Sequence, residues 1–283
     1  MKIFALIVNS EKDDCILYIN QAIEILTRLG CTVYLCEDKK EVIGGKKNVL
    51  YVEEERLYTE PECVIVFGGD GTIMRSAHKT SLPILSINLG RIGYIAELET
   101  NELNLLSELV NDNYTIEDRM MLTFKVEKSK DGSVYESNAL NEIVLSKGGY
   151  SVMPEIELIC NDEEVGKYFA DGLICATPTG STAYSLAAGG SIVDPGMECF
   201  CVSHICPQSF YAKPLIFGGN SVLKFKKGRR GRGKLSLVSD GQYVIDIEEN
   251  DIVTVKKSIN VTRFIKIKKN NFYSVMRSKM TEI

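Results

Sequence analysis

The chain has little of what common metal and redox sites need. Only two histidines, His78 and His204, occur among 283 residues, too few for a histidine-based metal centre. Nine cysteines are present, an odd number: Cys15, Cys31, Cys36, Cys63, Cys160, Cys175, Cys199, Cys201 and Cys206. No CxxC pair is among them, and most sit inside apolar runs such as CVIVF and CFCV. Reduced, buried thiols are therefore expected, rather than disulfides or zinc ligands. No apolar run approaches the ~20 residues of a membrane span. The opening MKIFALIVNS is short and leads into a charged helix, which does not fit a secretory signal. Positive charge is not in excess: 33 Lys and Arg against 38 Asp and Glu leave a net charge of −5. That balance argues against nucleic acid as the main partner. Internal repeats and low-complexity tracts are also missing. Together these absences predict a cytoplasmic protein with neither a membrane nor a nucleic-acid partner.

What is present is the material of two ordinary domains, with 45% hydrophobic and 25% charged residues. Residues 1–9 read as a buried strand. Ser10 then precedes Ile16, Ile19, Ile23 and Leu26 at helical spacing, closed by Gly30. Cys31 to Cys36 reads as a second strand and residues 37–60 as a polar connector with some helix. CVIVF (63–67) and PILSIN (83–88) supply two more buried strands. Strands alternating with helices predict a parallel, Rossmann-like α/β sheet. After a helix near 101–112 the texture changes to short strands joined by hairpin signals, at Lys130-Asp131-Gly132, Asn161-Asp162 and Asp240-Gly241. This half is expected to form a β-sandwich. The boundaries expected are 1–100 for the α/β domain and 101–264 for the β-rich domain. The helical 265–283, ending FYSVMRSKM, returns to the first. The basic run Lys224, Lys226, Lys227, Arg229, Arg230, Arg232 and Lys234 is interleaved with Gly228, Gly231 and Gly233, and reads as a solvated hairpin loop.

Three segments carry chemistry. In the first, Gly68-Gly69-Asp70-Gly71-Thr72 follows the strand CVIVF and opens a helix. Glycines admit a close ligand, and a helix start offers unpaired N–H groups to phosphate. The spacing fits neither a Walker loop nor a dinucleotide fingerprint. A pure phosphate cradle would exclude a carboxylate, so Asp70 suggests a base for an attacking hydroxyl or an indirect metal contact; a helix-capping role is the plainer reading. Arg75, one turn on, is within reach of a phosphate. The second is Asn141-Glu142, an amide beside an acid at the start of a β run, suited to hydroxyls and a carboxamide but uninformative alone. The third is the loop TPTGSTAYS. Its hydroxyls on Thr179, Ser181, Thr182 and Ser185 suit sugar and phosphate oxygens, against a capped helix start as the alternative.

Taken together, these segments resemble the NAD kinase family, within the larger group of kinases that share a GGDG motif. The resemblance extends over most of the chain, through LGRIGYIAE (89–97), ICPQS (205–209), DGQ (240–242) and FYSVMRSKM. The run DGLICATPTGSTAYSLAAGGSIVDP is its most specific part. GGDGT alone is shared with lipid kinases and is similar to that of phosphofructokinases. The resemblance implies an ATP-dependent, Mg²⁺-assisted phosphorylation of the NAD⁺ 2′-hydroxyl, by a homodimer or homotetramer. It implies Asp70 as general base, with Asp70 and Gly71 at the adenosine of NAD and Tyr94 near the adenine. Asn141 and Glu142 are implied at the ribose hydroxyls and Asp171 at the nicotinamide end. Thr182, Ala183, Tyr184 and Ala187 are implied to line the nucleotide pocket. Gly68, Gly69, Thr72 and Arg75 would hold the phosphates of ATP, and the metal would have no direct protein ligand. Two departures stand out: Gln208 occupies a position usually His, with His204 at a common Pro, and Phe169-Ala170 replace a frequent Arg-Gly. A lipid kinase, a sugar kinase, a non-catalytic NAD sensor and a 2′-phosphatase remain as alternatives. Incubation with ATP, Mg²⁺ and NAD⁺ separates them.

Overall fold

The computed structural model describes residues 1–8, 13–89, 93–149, 152–230, 233–269 and 272–281. Gly90, Arg91 and Ile92 of LGRIGYIAE, Ser10 at the expected helix start, and Gly231 and Arg232 of the basic run lie outside them. The chain divides into two compact units, Met1–Asp118 with Thr262–Ile283, and Arg119–Val261.

The first unit alternates strand and helix. Its elements are β1 (Ile3–Val8), α1 (Asp13–Arg28), β2 (Thr32–Cys36), α2 (Lys40–Ile43), β3 (Val49–Val52), α3 (Glu54–Leu57), β4 (Cys63–Phe67), α4 (Asp70–Ala77), β5 (Ile84–Asn88) and β6 (Leu98–Glu99). A 3-10 turn over Thr100–Leu106 and α5 (Ser107–Val110) follow. The first five strands pair in parallel in the order β3-β2-β1-β4-β5. CVIVF and ILSIN are buried along their whole length, the signature of parallel strands covered on both faces. Helix α1 lays Cys15, Ile19, Ala22, Ile23 and Leu26 against Phe4, Ile65 and Leu85 in one core. Their spacing keeps them on one helical face. Each such buried Leu, Ile or Phe contributes roughly 1.5–3 kcal/mol. The helix stops at Gly30, whose φ of 78° lets the Cys31 N–H return to the Leu26 carbonyl at 3.0 Å. Strand β3 falls inside the segment read as a polar connector. Only four residues long and half exposed, VLYV gives too little periodicity to announce itself.

Reversal of strand order between β1 and β4 is where an open α/β sheet forms its ligand crevice, at the carboxyl ends of the strands. β4 runs directly from that position into Gly68. The unit is closed by Glu97, 4% exposed, which accepts the N–H groups of Ile267 (2.8 Å) and Lys268 (2.7 Å) and pairs with Lys266.

The second unit is antiparallel. It contains most of β7 (Thr115–Glu127), β8 (Val134–Ala139), β9 (Glu142–Lys147), β10 (Glu155–Cys160), β11 (Glu163–Phe169), β12 (Gly172–Ala176), α6 (Tyr184–Ala187), β13 (Cys199–Ile205), β14 (Leu215–Gly218), β15 (Leu223–Lys227), β16 (Leu235–Ser239), β17 (Tyr243–Ile247) and most of β18 (Ile252–Lys266). α7 (Phe272–Thr281) belongs to the first unit. One sheet runs β14-β13-β12-β9-β16-β17; the other holds β11-β10-β15-β18 with β7 and β8. Leu145, Leu173, Phe200 and Leu237 from the first sheet meet Phe124, Leu158 and Phe225 from the second in a common core, which makes the unit a sandwich. The three hairpin signals all join paired strands. The basic run does not: β15 and β16 lie in different sheets, so it is a connection between sheets rather than a hairpin loop. No disulfide forms among the described residues, and Cys15, Cys31, Cys63, Cys175, Cys199 and Cys201 are buried. No described helix is long and apolar enough to cross a membrane.

Candidate functional site

Residues marked out by the sequence gather into two clusters, one in each unit. In the first, Gly69 is the N-cap of α4 in extended conformation, and Asp70 is its first residue. Asp70 makes no capping bond to its own helix. Its carboxylate instead accepts the N–H of Tyr94 at 3.0 Å on Oδ2 and that of Ile95 at 3.4 Å on Oδ1. Two backbone donors from a distant loop thus fix the acid's direction, half-buried at the start of the helix. Gly68 is required by packing: a Cβ there would lie 2.7 Å from the Cβ of Thr72. Gly69 and Gly71 are exposed and leave the backbone open to a ligand. Arg75 is exposed and its Nη2 donates to Thr72 Oγ1 at 3.2 Å, so both side chains flank the helix start. The structure therefore brings Gly68, Gly69, Asp70, Gly71, Thr72, Arg75 and Tyr94 into one neighbourhood.

The second cluster centres on Leu140, Asn141 and Glu142, where the chain enters β9. Glu142 is 8% exposed. Its Oε2 and the Oδ1 of Asn141 are buried without a hydrogen-bond partner among the described residues. Buried polar atoms are almost always partnered, so this pair retains hydrogen-bonding capacity that a hydroxyl could take up. Burial, and then the negative charge of Asp240, push the Glu142 carboxyl up to about 8. Asp240 and Thr177 hold this corner through its backbone. Gly180 packs so tightly on it that a Cβ would stand 2.6 Å from the Asn141 carbonyl carbon.

The TPTGSTAYS loop sorts its residues into two faces. Thr182 and Ala183 are half-buried, while Tyr184 and Ala187 are exposed. The loop's hydroxyls are used inside the protein, that of Thr182 donating to the Thr179 carbonyl at 3.2 Å. Ser181 Oγ donates to the Pro178 carbonyl (2.6 Å) and accepts the Val193 N–H (3.0 Å). Ser185 Oγ meets Ser203 Oγ at 2.9 Å, and the buried Arg119 reaches Thr179 Oγ1 at 3.4 Å. The concentration of hydroxyls read from the sequence as ligand contacts is thus largely internal scaffolding. The loop lies against a closely packed sheet, where each buried backbone group needs a partner.

Asp171 ends the turn before β12 and pairs with Lys147 at 2.8 Å. Phe169 and Gln208, the two departures from the family pattern, share a cavity of about 360 Å³ with Lys167, Pro207 and Tyr211. Tyr168 also lines it, and His204, 4% exposed, sets its ring 4.4 Å from that of Tyr168, with both its nitrogens without partners among the described residues. Burial holds its imidazole below the usual range. Asp240, Thr177 and Arg119 are the residues that sequence reasoning missed. The DGQ motif could have pointed to Asp240, and Thr177 opens the TPTGSTAYS loop; nothing local signals Arg119.

Comparison with known proteins identifies the family. Residues 4–114 match the ATP-NAD kinase N-terminal domain and residues 140–267 the ATP-NAD kinase C-terminal domain. An NAD kinase of Caldanaerobacter subterraneus subsp. tengcongensis is 37% identical over 286 residues, covering 100% of both chains. One from Thermoanaerobacter sp. (strain X514) is 35% identical over 290 residues with the same coverage. Among solved structures, yeast NADH kinase complexed with NADH superimposes with a TM-score of 0.88 at 24% identity, covering 99% of this chain and 88% of that one. An NAD kinase from Archaeoglobus fulgidus in complex with ATP gives 0.77 at 24%, covering 99% of each chain. At that identity the two structures show the shared fold.

Proposed function

This chain belongs to the NAD kinase family, and from that premise we propose how its residues work. It is an NAD⁺ kinase, transferring the terminal phosphate of ATP to the 2′-hydroxyl of the adenosine ribose of NAD⁺ to give NADP⁺. Asn141 and Glu142 take the ribose hydroxyls, which supply the partners that Oδ1 and Oε2 lack. Asp70 takes the proton of the 2′-hydroxyl as its oxygen attacks the γ-phosphorus; the bond to the bridging oxygen breaks and ADP leaves. Gly71 and Tyr94 lie along the adenosine. Thr182, Ala183, Tyr184 and Ala187 line the dinucleotide, and Asp171 meets the nicotinamide end with the oxygen that Lys147 leaves open.

Gly68, Gly69, Thr72 and Arg75 grip the phosphates of ATP, using the amides at the start of α4 and a guanidinium. Among the described residues no three His, Cys, Asp or Glu side chains gather to hold a metal. An ion carried by phosphates and water, the usual habit of Mg²⁺, would need no such cluster. Bound so, Mg²⁺ would offset the charge on the phosphate chain. The thiols without disulfides support a reducing, cytoplasmic setting. The family resemblance supports a homodimer or homotetramer.

The observation that carries these assignments is the Asp70 carboxylate, aimed by the Tyr94 and Ile95 amides beside an open glycine backbone. Incubating the protein with ATP, Mg²⁺ and NAD⁺ and assaying NADP⁺ tests them. A lipid kinase, a sensor or a phosphatase yields none.

A further inference from the structure

All six backbone polar groups of Leu140, Asn141 and Glu142 are held by two residues. The N–H of Leu140 donates to Asp240 Oδ2 at 2.7 Å, and those of Asn141 and Glu142 donate to Oδ1 at 3.0 and 2.8 Å. The Glu142 carbonyl accepts the Asp240 N–H at 3.0 Å. Thr177 takes the other two carbonyls, that of Leu140 with Oγ1 (2.5 Å) and that of Asn141 with its N–H (2.8 Å). Successive N–H groups of an extended strand point to alternate sides. Three that converge on one carboxylate therefore mean a chain curled around an anion. Asp240 itself sits at a φ of 43°, the left-handed conformation that its Asp-Gly hairpin turn between β16 and β17 calls for, so the turn fixes the backbone from which the carboxylate reaches.

We propose that Asp240 is a positioning residue for the dinucleotide: by gripping three consecutive amides it sets the angle at which Asn141 and Glu142 present their side chains to the ribose hydroxyls. The inference rests on the NAD kinase reading above. Charge adds to the geometry. The strands flanking Glu142, β12 and β16, carry no charged residue, and neither does the 3-10 turn Gly180–Thr182 packed on Asn141. Asp240 is the charged group that acts on Glu142. Burial first, and then the charge of Asp240, keeps the Glu142 proton in place at neutral pH, so Glu142 offers a donor as well as an acceptor to a diol, as the Asn141 amide does.

The test is steady-state kinetics and NAD⁺ calorimetry on full-length wild type, Asp240→Asn, Asp240→Glu and Glu142→Gln. Asp240→Asn keeps the shape but loses the charge, and turns a donor toward the amides. It is expected to raise KM for NAD⁺ about 10-fold or more while KM for ATP stays within about twofold, the signature of lost substrate positioning. The limb of the kcat/KM profile that belongs to Glu142 shifts to lower pH in Asp240→Asn and is missing in Glu142→Gln. Asp240→Glu, which keeps the charge but displaces the grip, raises KM for NAD⁺ and leaves the limb in place. Unchanged NAD⁺ affinity and pH profile in Asp240→Asn, or equal losses for both substrates with a lowered melting temperature, overturn the proposal. A wild type that forms no NADP⁺ overturns the kinase reading instead, while calorimetry still reports whether Asp240 governs NAD⁺ binding.

Discussion

Gly93 leaves the space that the Asp70 carboxylate occupies. A Cβ at Gly93 would stand 2.8 Å from Asp70 Cγ and closer still to Oδ1. The displaced group is the free end of a short side chain, so the clash is relieved by turning Asp70 rather than by unfolding. Gly93→Ala is therefore expected to keep its circular dichroism and melting temperature but to lose about 10-fold or more in kcat, since small misplacements of a reacting group are costly. A kcat within about twofold of wild type shows that the direction of Asp70 is immaterial.

Glu142 makes the unliganded protein less stable as pH rises. Its folded pKa, about 8, lies above the ordinary carboxyl value. Between the two, the unfolded chain releases a proton that the folded protein retains. Stability is thus greatest below the unfolded value, declines as pH rises, and levels off above about 8. Glu142→Gln removes this term. Thermal denaturation should show the variant gaining on wild type between about pH 5 and 8.5. A difference that does not vary with pH contradicts a protonated, buried Glu142.

His204 works in the opposite direction. Burial lowers its folded pKa, so the unfolded chain takes up a proton first as pH falls. The stability of the buried neutral ring is present above about 6.5 and is lost below it. His204→Phe, which keeps a ring against Tyr168, should flatten the decline in melting temperature between about pH 7 and 5.5. An equal decline in the variant places the titrating group elsewhere.

Gly180 tests the packing beneath the Asn141–Glu142 corner. Its Cβ would meet the backbone of Asn141, which has no free end to swing aside. Gly180→Ala should lower the melting temperature and also raise KM for NAD⁺, in contrast to Gly93→Ala. A variant with unchanged stability shows that the corner yields easily.

The extent to which this was legible in the sequence follows the range of the interactions. CVIVF followed by GGDGT is a local pattern, and it placed Asp70 correctly at the start of a helix. The hairpins at residues 131, 161 and 240 were readable for the same reason, as their turn residues adopt left-handed conformations suited to Asn, Asp and Gly. Strand β3 was missed because four residues, only the outer two of them buried, carry little period. The pairing of Asp240 with Leu140, 100 residues away, left no trace in either segment's composition. The TPTGSTAYS hydroxyls were misjudged because composition reports the capacity to hydrogen-bond, and only the fold reveals that Ser203 and Val193 already satisfy it.

Asp70 carries the central claim. Asp70→Asn keeps the size of the side chain and an oxygen for the Tyr94 amide, but cannot accept the hydroxyl proton. The measurement is NADP⁺ formed per minute from ATP, Mg²⁺ and NAD⁺ by equal amounts of folded wild type and variant. The account predicts a rate at least ~100-fold lower for the variant, within the range for loss of a general base. NADP⁺ formation by Asp70→Asn at near wild-type rate would contradict it.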